Sequence, residues 1–223
     1  MLTLGIDDAG RGPIVGPMIL AGCLIDDDVA KEFKKIGIKD SKQLTQKRRE
    51  FFFEKIKEKA KIFDFVVIPP EMIDGNGEGR IKLNELEAIA VAKIINKINK
   101  GFTKIKVIVD CPSTSIVKWT DFLKTKIENL STLEISCEHK ADKNHISVSA
   151  ASIIAKSIRE IEMDKLREKY GEEIGSGYTS DPLTIKFLEK HAQKYEDHGI
   201  FRKTWITWKN IILKKEQKTL KDI

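Results

Sequence analysis

The sequence has few cysteines and lacks long apolar runs, and each lack excludes a class of protein. Its three cysteines, Cys23, Cys111 and Cys137, show no C-x-x-C spacing, so neither a disulfide framework nor a zinc site is indicated. No apolar stretch reaches the roughly 18 residues that a membrane span requires. The N-terminus has no basic segment followed by an apolar one, so it indicates no secretory signal. We therefore expect a cytoplasmic protein that does not interact with a membrane.

The sequence also lacks internal repeats, low-complexity tracts and linkers rich in glycine and serine. Its 223 residues suffice for one hydrophobic core with a small appendage. The formal charge of +6 is compatible with a polyanionic partner, although many basic proteins bind no nucleic acid. Composition alone therefore leaves the function open.

Apolar patterns predict strands that alternate with helices. Strands are predicted over 2–8, 14–25, 62–68, 105–109 and 132–138. Helices are predicted from a cap at Thr45 to about residue 60, and over 84–97, 116–128 and 148–170. The tail, 181–218, has the pattern of two or three helices broken near Gly199. These patterns predict an α/β domain with a central mixed sheet over residues 1–180, and a helical C-terminal extension packed on it over residues 181–223.

Acidic residues follow several of the predicted strands. Asp7 and Asp8 end the first strand, Asp110 ends a later one, and Asp142 lies in a predicted loop before the long helix. Ligand sites in open α/β sheets gather at strand ends. Converging carboxylates repel one another unless hard divalent cations such as Mg²⁺ bind them, and two such ions can hydrolyse a phosphodiester. The alternative is that these are ordinary surface acids, since the chain has 34 Asp and Glu residues.

A glycine-rich segment directly beside the acidic pair favours the metal site. Gly10 and Gly12 flank Arg11, and glycines allow the backbone to approach a ligand closely. An arginine side chain can hydrogen-bond a phosphate. Ser149 and Ser152 on the long helix are not interpreted as nucleophiles, because the neighbouring residues have the pattern of a packing face. His139 and His145 are interpreted as structural or peripheral. The residues of the packing face are Ala150, Ala151, Ile153 and Ile154.

Several blocks of residues, in order along nearly the whole chain, resemble the ribonuclease HII family, and their spacing is most similar to that of archaeal members. The first block has the family's D-E-A-G-R-G-P pattern, except that Asp8 replaces a glutamate. The blocks are Asp7–Pro13, Asp40–Leu44, Val109–Asp110, His139–Asp142 with Val148–Lys156, Gly175–Pro182, and a late Trp205.

The resemblance implies a ribonuclease H-like fold and an endonuclease that cuts the RNA strand of RNA/DNA hybrids. It also implies cutting 5′ to ribonucleotides embedded in DNA, with two divalent ions, Mg²⁺ or Mn²⁺, leaving 3′-hydroxyl and 5′-phosphate ends. The implied metal-binding catalytic acids are Asp7, Asp8, Asp110 and Asp142. The implied substrate-binding residues are Gly10, Arg11, Gly12, Lys42 and Tyr178. Taken without the resemblance, Tyr178 has the alternative of a core tyrosine, and Lys42 that of a solvated lysine.

Three further expectations accompany this hypothesis. The alternatives within it are a ribonuclease HIII and a nucleic-acid-binding relative whose catalysis is weakened by Asp8. Gln217, Leu220 and Ile223 have the spacing of sliding-clamp-binding peptides, against the alternative of a frayed polar helix end. We expect a monomer.

Overall fold

The structure, a computed structural model, describes residues 1–38, 44–75 and 81–221, with the side chains of residues 215–221 excepted. Within these residues, five strands form one mixed sheet in the order β3-β2-β1-β4-β5. Strand β1 is antiparallel to β2 and parallel to β4, and β4 is parallel to β5. The strands are β1 (Leu2–Ala9), β2 (Met18–Asp26), β3 (Ile62–Ile68), β4 (Ile105–Asp110) and β5 (Leu133–Glu138).

Helices connect these strands and make up most of the C-terminal part, which confirms the predicted α/β class with a helical C-terminal segment. Short 3₁₀ turns lie at Glu172–Ile174 and Glu196–His198. No described helix is both long and apolar enough to cross a bilayer. The helices are α1 (Asp27–Ile36), α2 (Gln46–Lys59), α3 (Pro70–Asp74), α4 (Leu83–Ile98), α5 (Ile116–Lys124), α6 (Ala141–Asn144), α7 (Ile146–Tyr170), α8 (Pro182–His191) and α9 (Ile206–Lys221).

The start of the second strand differs from the prediction. The predicted run began at residue 14, whereas β2 begins at Met18. The amides of Ile14 and Val15 donate to Gly177 O, and Val15 forms a β-bridge with Phe201. Gly16, at φ 86°, then turns the chain, so the apolar residues before β2 pack in another part of the molecule.

Helix α1 was not predicted, although its capping residues are visible in the sequence. The Asp26 side chain accepts hydrogen bonds from the amides of Asp28 and Val29, and Gly37 ends the helix at φ 91°. The predicted helix 116–128 instead ends at Lys124, where the Thr125 hydroxyl donates to Phe122 O. Both differences reflect side-chain hydrogen bonds to the backbone that apolar periodicity does not register.

The chain divides into two compact units. The first unit comprises Met1–Ala9, Ile19–Val67 and Ile81–Ile158, and the second comprises Gly10–Met18, Ile68–Arg80 and Arg159–Ile223. The first unit has a core that packs β2 and α7 residues such as Ile19 and Ile154, and the second has a core around Phe187 and Phe201. The domain boundary at residue 180 stays a prediction.

Candidate active site

The first unit places Asp7 and Asp110 at neighbouring strand ends. In the parallel pair of β1 and β4, Ile6 lies opposite Val109, so the residues that follow, Asp7 and Asp110, lie side by side at the carboxyl ends of their strands. Asp7, Asp8 and Asp110 line one small cavity. The sheet topology therefore brings three of the four predicted acids together.

Asp7 is the most confined of these three acids. It is 6% exposed, and its Oδ1 accepts a hydrogen bond of 2.7 Å from the Asp8 amide. Burial raises the pKa of Asp7 well above its ordinary value of 3.8, and the neighbouring carboxylates of Asp8 and Asp110 raise it further, whereas a hydrogen bond from Ser152 opposes the rise. A compensating positive charge at this cavity would relieve the conflict.

Asp142 lies on the short helix α6, not in the predicted loop. Lys140, at φ 58°, turns the chain into α6, and the Ala141 amide donates to Asp110 Oδ1 over 3.1 Å. Asp142 is 2% exposed, and its Oδ1 is buried with no hydrogen-bond partner among the described residues. The Ser149 hydroxyl donates to Asp142 O over 2.5 Å, so the backbone of this residue is fixed while one carboxylate oxygen keeps its bonding capacity.

Helix α7 supports the site because its first turns approach the sheet closely. A Cβ built on Gly5 of β1 would lie 2.1 Å from the Ser147 carbonyl carbon and 2.2 Å from the Val148 nitrogen. Only a glycine permits this approach. From this position on α7, the Ser149 side chain hydrogen-bonds the Asp142 backbone and the Ser152 side chain hydrogen-bonds Asp7. Both serines lie beside the predicted packing face of this helix, and their supporting role was not predicted.

A fourth acid borders the cavity lined by Asp7, Asp8 and Asp110. Glu87 of α4 is almost fully buried and lines the cavity together with Trp119, whose indole Nε1 donates to Asn84 O over 2.8 Å. Glu87 was not predicted from the sequence as a site residue. The only available signal was an acid among the apolar residues of a helix, which by itself indicates little.

The donor set fits hard divalent cations whose coordination is completed by water and substrate. Across 1–38, 44–75 and 81–221, no three histidine, cysteine, aspartate or glutamate side chains form a ready-made cluster for one ion. Mg²⁺, however, keeps several waters and is commonly bound by one or two carboxylates together with substrate phosphates. The four carboxylates on one cavity and the buried Asp142 oxygen are ligands of that kind.

The predicted glycine-rich loop lies in the second unit, where Arg202 holds its backbone. Arg202 is fully buried and donates to Arg11 O and Gly10 O, each over 2.6 Å, and to Gly16 O over 3.1 Å. Trp205 Nε1 donates to Gly12 O over 3.3 Å. The loop carbonyls are thus engaged by this chain. Arg202 was missed because arginines are mostly exposed.

Among the described glycines of the second unit, Gly12 alone has no positive φ. A Cβ built on Gly12 would have no described atom within 4 Å, so internal packing does not require a glycine there. Open space beside the backbone is what a closely approaching ligand needs.

Tyr178 lies on a loop, as predicted. It is 39% exposed, so the alternative of a core tyrosine is wrong. Ser176 N donates to Asp181 Oδ2 over 2.7 Å and Gly177 N donates to Thr184 Oγ1 over 3.0 Å, so side chains at the start of α8 hold the loop.

The remaining candidates make other contacts or lie outside the described residues. His139 Nδ1 lies 3.0 Å from Cys111 O, and His145 Nε2 lies 2.9 Å from Glu138 Oε2. Lys42 and Ile223 lie outside the described residues, as do the side chains of Gln217 and Leu220.

The mixed sheet, its flanking helices and the acids at the ends of β1 and β4 define an α/β protein of the ribonuclease H-like class. A family model described as Ribonuclease HII matches residues 4–208. The chain therefore belongs to the ribonuclease HII family, and it is an enzyme, a ribonuclease H with endonuclease activity.

Relatives of known sequence or structure agree along nearly the full length. Ribonuclease HII of the archaeon Methanococcus maripaludis (strain C7 / ATCC BAA-1331) is 41% identical over 219 residues, which cover 97% of this chain and 89% of the relative. The crystal structure of the ribonuclease H2 from Pyrococcus horikoshii OT3 has a TM-score of 0.83 at 37% identity, covering 95% of this chain and 97% of that one. The ribonuclease HII in the PCNA:RNase HII complex from Archaeoglobus fulgidus has a TM-score of 0.79 at 33% identity, covering 92% of this chain and 95% of that one.

Proposed function

We propose that this ribonuclease H cuts the RNA strand of RNA/DNA hybrids and also cuts 5′ to ribonucleotides embedded in DNA, leaving 3′-hydroxyl and 5′-phosphate ends. The observation that carries the proposal is the convergence of Asp7, Asp8 and Asp110 on one cavity, with Asp142 joined to Asp110 through the Ala141 amide. Phosphodiester hydrolysis at such a site needs acids on rigid elements, and strand ends and a tethered helix supply them.

In this proposal, Asp7, Asp8, Asp110 and Asp142 hold two divalent ions, Mg²⁺ or Mn²⁺. When bound, the ions would help a water to attack the phosphorus and would stabilise the leaving oxygen. The chain's own contribution is orientation: Ser152 hydrogen-bonds Asp7, and Ser149 fixes the Asp142 backbone. Burial of Asp7 and Asp142 keeps the carboxylates partly desolvated, which strengthens their attraction for a cation.

Recognition of the ribonucleotide falls to the loop of Gly10, Arg11 and Gly12 and to Tyr178. Arg202 and Trp205 hold the loop carbonyls and so fix the course of the loop backbone that would meet a substrate. Amides can hydrogen-bond a 2′-hydroxyl, the group that distinguishes RNA from DNA. The half-exposed ring of Tyr178 stacks on the following deoxyribose and excludes a second hydroxyl there.

Cleavage of three matched duplexes tests this function. One duplex carries a single ribonucleotide, one is a continuous RNA/DNA hybrid, and one is all DNA. We expect cuts in the first two with Mg²⁺ or Mn²⁺, no cut with a chelator, no cut in the DNA, and a 5′-phosphate downstream of each cut. Binding of the ribonucleotide duplex without any cleavage would instead identify a relative weakened by Asp8.

A sliding clamp is the proposed protein partner. The PCNA:RNase HII complex from Archaeoglobus fulgidus supports it, together with the spacing of Gln217, Leu220 and Ile223. Deleting residues 216–223 should abolish binding to a PCNA-type clamp while leaving cleavage unchanged. The control is Lys214→Ala, which changes an exposed residue of α9 that does not belong to the proposed clamp-binding residues. Unchanged clamp affinity in the deletion variant would refute this interaction.

A further inference from the structure

A buried arginine of α7 lies against both recognition elements of the second unit. Arg159 is 8% exposed, and its Nη2 donates to Ser176 O over 2.8 Å. Its guanidinium carbon lies 5.0 Å from the centre of the Tyr178 ring. Arg159 thus binds the Tyr178 loop twice, once through the backbone and once through the face of the aromatic ring.

The same guanidinium occupies the space beside two glycines. A Cβ built on Gly10 would lie 2.5 Å from Arg159 Nε, and one built on Gly177 would lie 3.2 Å from Arg159 Nη2. Both glycines have positive φ, 81° and 82°. The glycine-rich loop and the Tyr178 loop therefore both meet the Arg159 side chain, and neither position has room for a larger residue.

Stability alone does not account for a charged residue here. Arg159 Nε is buried with no hydrogen-bond partner among the described residues, and burial lowers the pKa of the guanidinium. Placing an arginine in such surroundings costs free energy that an apolar side chain of similar volume would not. The planar, cationic group does offer what an apolar residue lacks, a fixed platform for an aromatic ring and a fork of donors.

We propose that Arg159 is a positioning residue that fixes the plane of the Tyr178 ring relative to Gly10, and so determines the preference for a deoxyribonucleotide after the ribonucleotide. The inference rests on the proposed function, in which Tyr178 stacks on that sugar. With one face of the ring against the guanidinium, the ring has a single orientation to offer a substrate. Without Arg159 the ring is free to rotate, and the enzyme cleaves a ribonucleotide followed by deoxyribose little better than one followed by ribose.

The experiment measures kcat/KM on the single-ribonucleotide duplex and on the continuous hybrid, and compares the ratio among variants. Tyr178→Ala should lower the ratio about 5- to 150-fold, the range expected for loss of one aromatic stacking contact with a nucleic acid. Arg159→Met should lower it by at least about fivefold, and Arg159→Lys by less, because lysine keeps a cation near the ring but loses the fork. The double variant Arg159→Met with Tyr178→Ala should lower the ratio no further than Tyr178→Ala alone.

Arg167→Met is the matched control. Arg167 lies on the same helix and its Nη1 donates to Gly175 O of the same loop over 3.3 Å, but it also pairs with Glu160 and Asp164. This variant should lose thermal stability and keep the substrate ratio. A shifted ratio for Tyr178→Ala with unchanged ratios for folded Arg159→Met and Arg159→Lys would overturn the inference alone. An unchanged ratio for Tyr178→Ala would overturn the stacking role and this inference with it.

Discussion

Gly5→Ala tests whether the close approach of α7 to β1 organises the acids. The new Cβ would lie 2.1 Å from the Ser147 carbonyl carbon, about 1.3 Å short of the 3.4 Å at which ordinary contact begins. Its closest neighbours are backbone atoms, so no side chain can swing away and the start of α7 must move. Overpacking of this kind costs about 1–3 kcal/mol, which corresponds to a fall in Tm of about 2–12 °C for a chain of this size.

The functional loss should exceed the loss of stability. The displaced helix carries Ser149, which holds the Asp142 backbone, and Ser152, which holds Asp7. A misplacement of about 1 Å costs roughly 100-fold in rate, so we expect turnover of the single-ribonucleotide duplex to fall by about that factor. The assay is run well below the Tm of the variant, at saturating metal.

Gly22→Ala is the control for overpacking that does not displace α7. A Cβ on Gly22 would lie 2.5 Å from Ile94 Cγ2, a side-chain atom of α4 and not part of its backbone, and Gly22 carries none of the site contacts. This variant should lose comparable stability and keep near-normal turnover. A folded Gly5→Ala variant with turnover close to wild type would refute the supporting role of α7.

Three other variants test the role of Gly12 in recognition, the burial of the Asp7 carboxylate and the length of the Asp8 side chain. Gly12→Ala should keep the wild-type Tm, because its Cβ meets no described atom within 4 Å, yet raise KM for the single-ribonucleotide duplex at least about tenfold; an unchanged KM would remove this glycine from recognition. Burial and the carboxylates of Asp8 and Asp110 raise the pKa of Asp7 above its ordinary value of 3.8. The contribution of this carboxyl group to the free energy of unfolding is therefore fully present below pH 3.8 and is lost as the pH rises through the folded-state pKa. Asp7→Asn should therefore raise the Tm at neutral pH without metal, with a smaller effect at acidic pH, and melting curves showing a lower Tm at neutral pH would contradict this. Asp8→Glu extends the carboxylate by about 1.5 Å and should lower the half-saturating Mg²⁺ concentration, whereas a higher one would mean that the longer side chain crowds the site.

The parts of the site that could be predicted from the sequence lie at the ends of strongly apolar strands. The β-branched run before Asp110 indicates in the sequence where β4 ends, whereas the parallel register that places Asp110 beside Asp7 joins two strands that are distant in the sequence. The small and apolar residues Ala150, Ala151 and Ile154 likewise predicted the packing face of α7, and all three are fully buried.

The parts that could not be predicted depend on contacts between distant residues. Asp142 was expected in a loop, because nothing local indicates that Lys140 adopts a left-handed conformation or that Ser149, seven residues away, bonds the Asp142 carbonyl. Arg202 engages carbonyls about 190 residues earlier in the chain, and Arg159 fills space beside Gly10. Sequence patterns treat such arginines as surface charges, because their burial is decided by partners that only the fold brings near.

In the proposed function, the acids at the ends of β1 and β4 act together in metal-dependent cleavage. The most direct measurement is turnover of the single-ribonucleotide duplex by Asp110→Asn at saturating Mg²⁺ and Mn²⁺, with circular dichroism to establish that the fold is kept. The substitution removes one charge and keeps the side-chain shape, including an oxygen for the Ala141 amide. We expect a folded protein whose turnover falls by at least about 1,000-fold; a folded variant with near-normal turnover would refute the joint role of these acids.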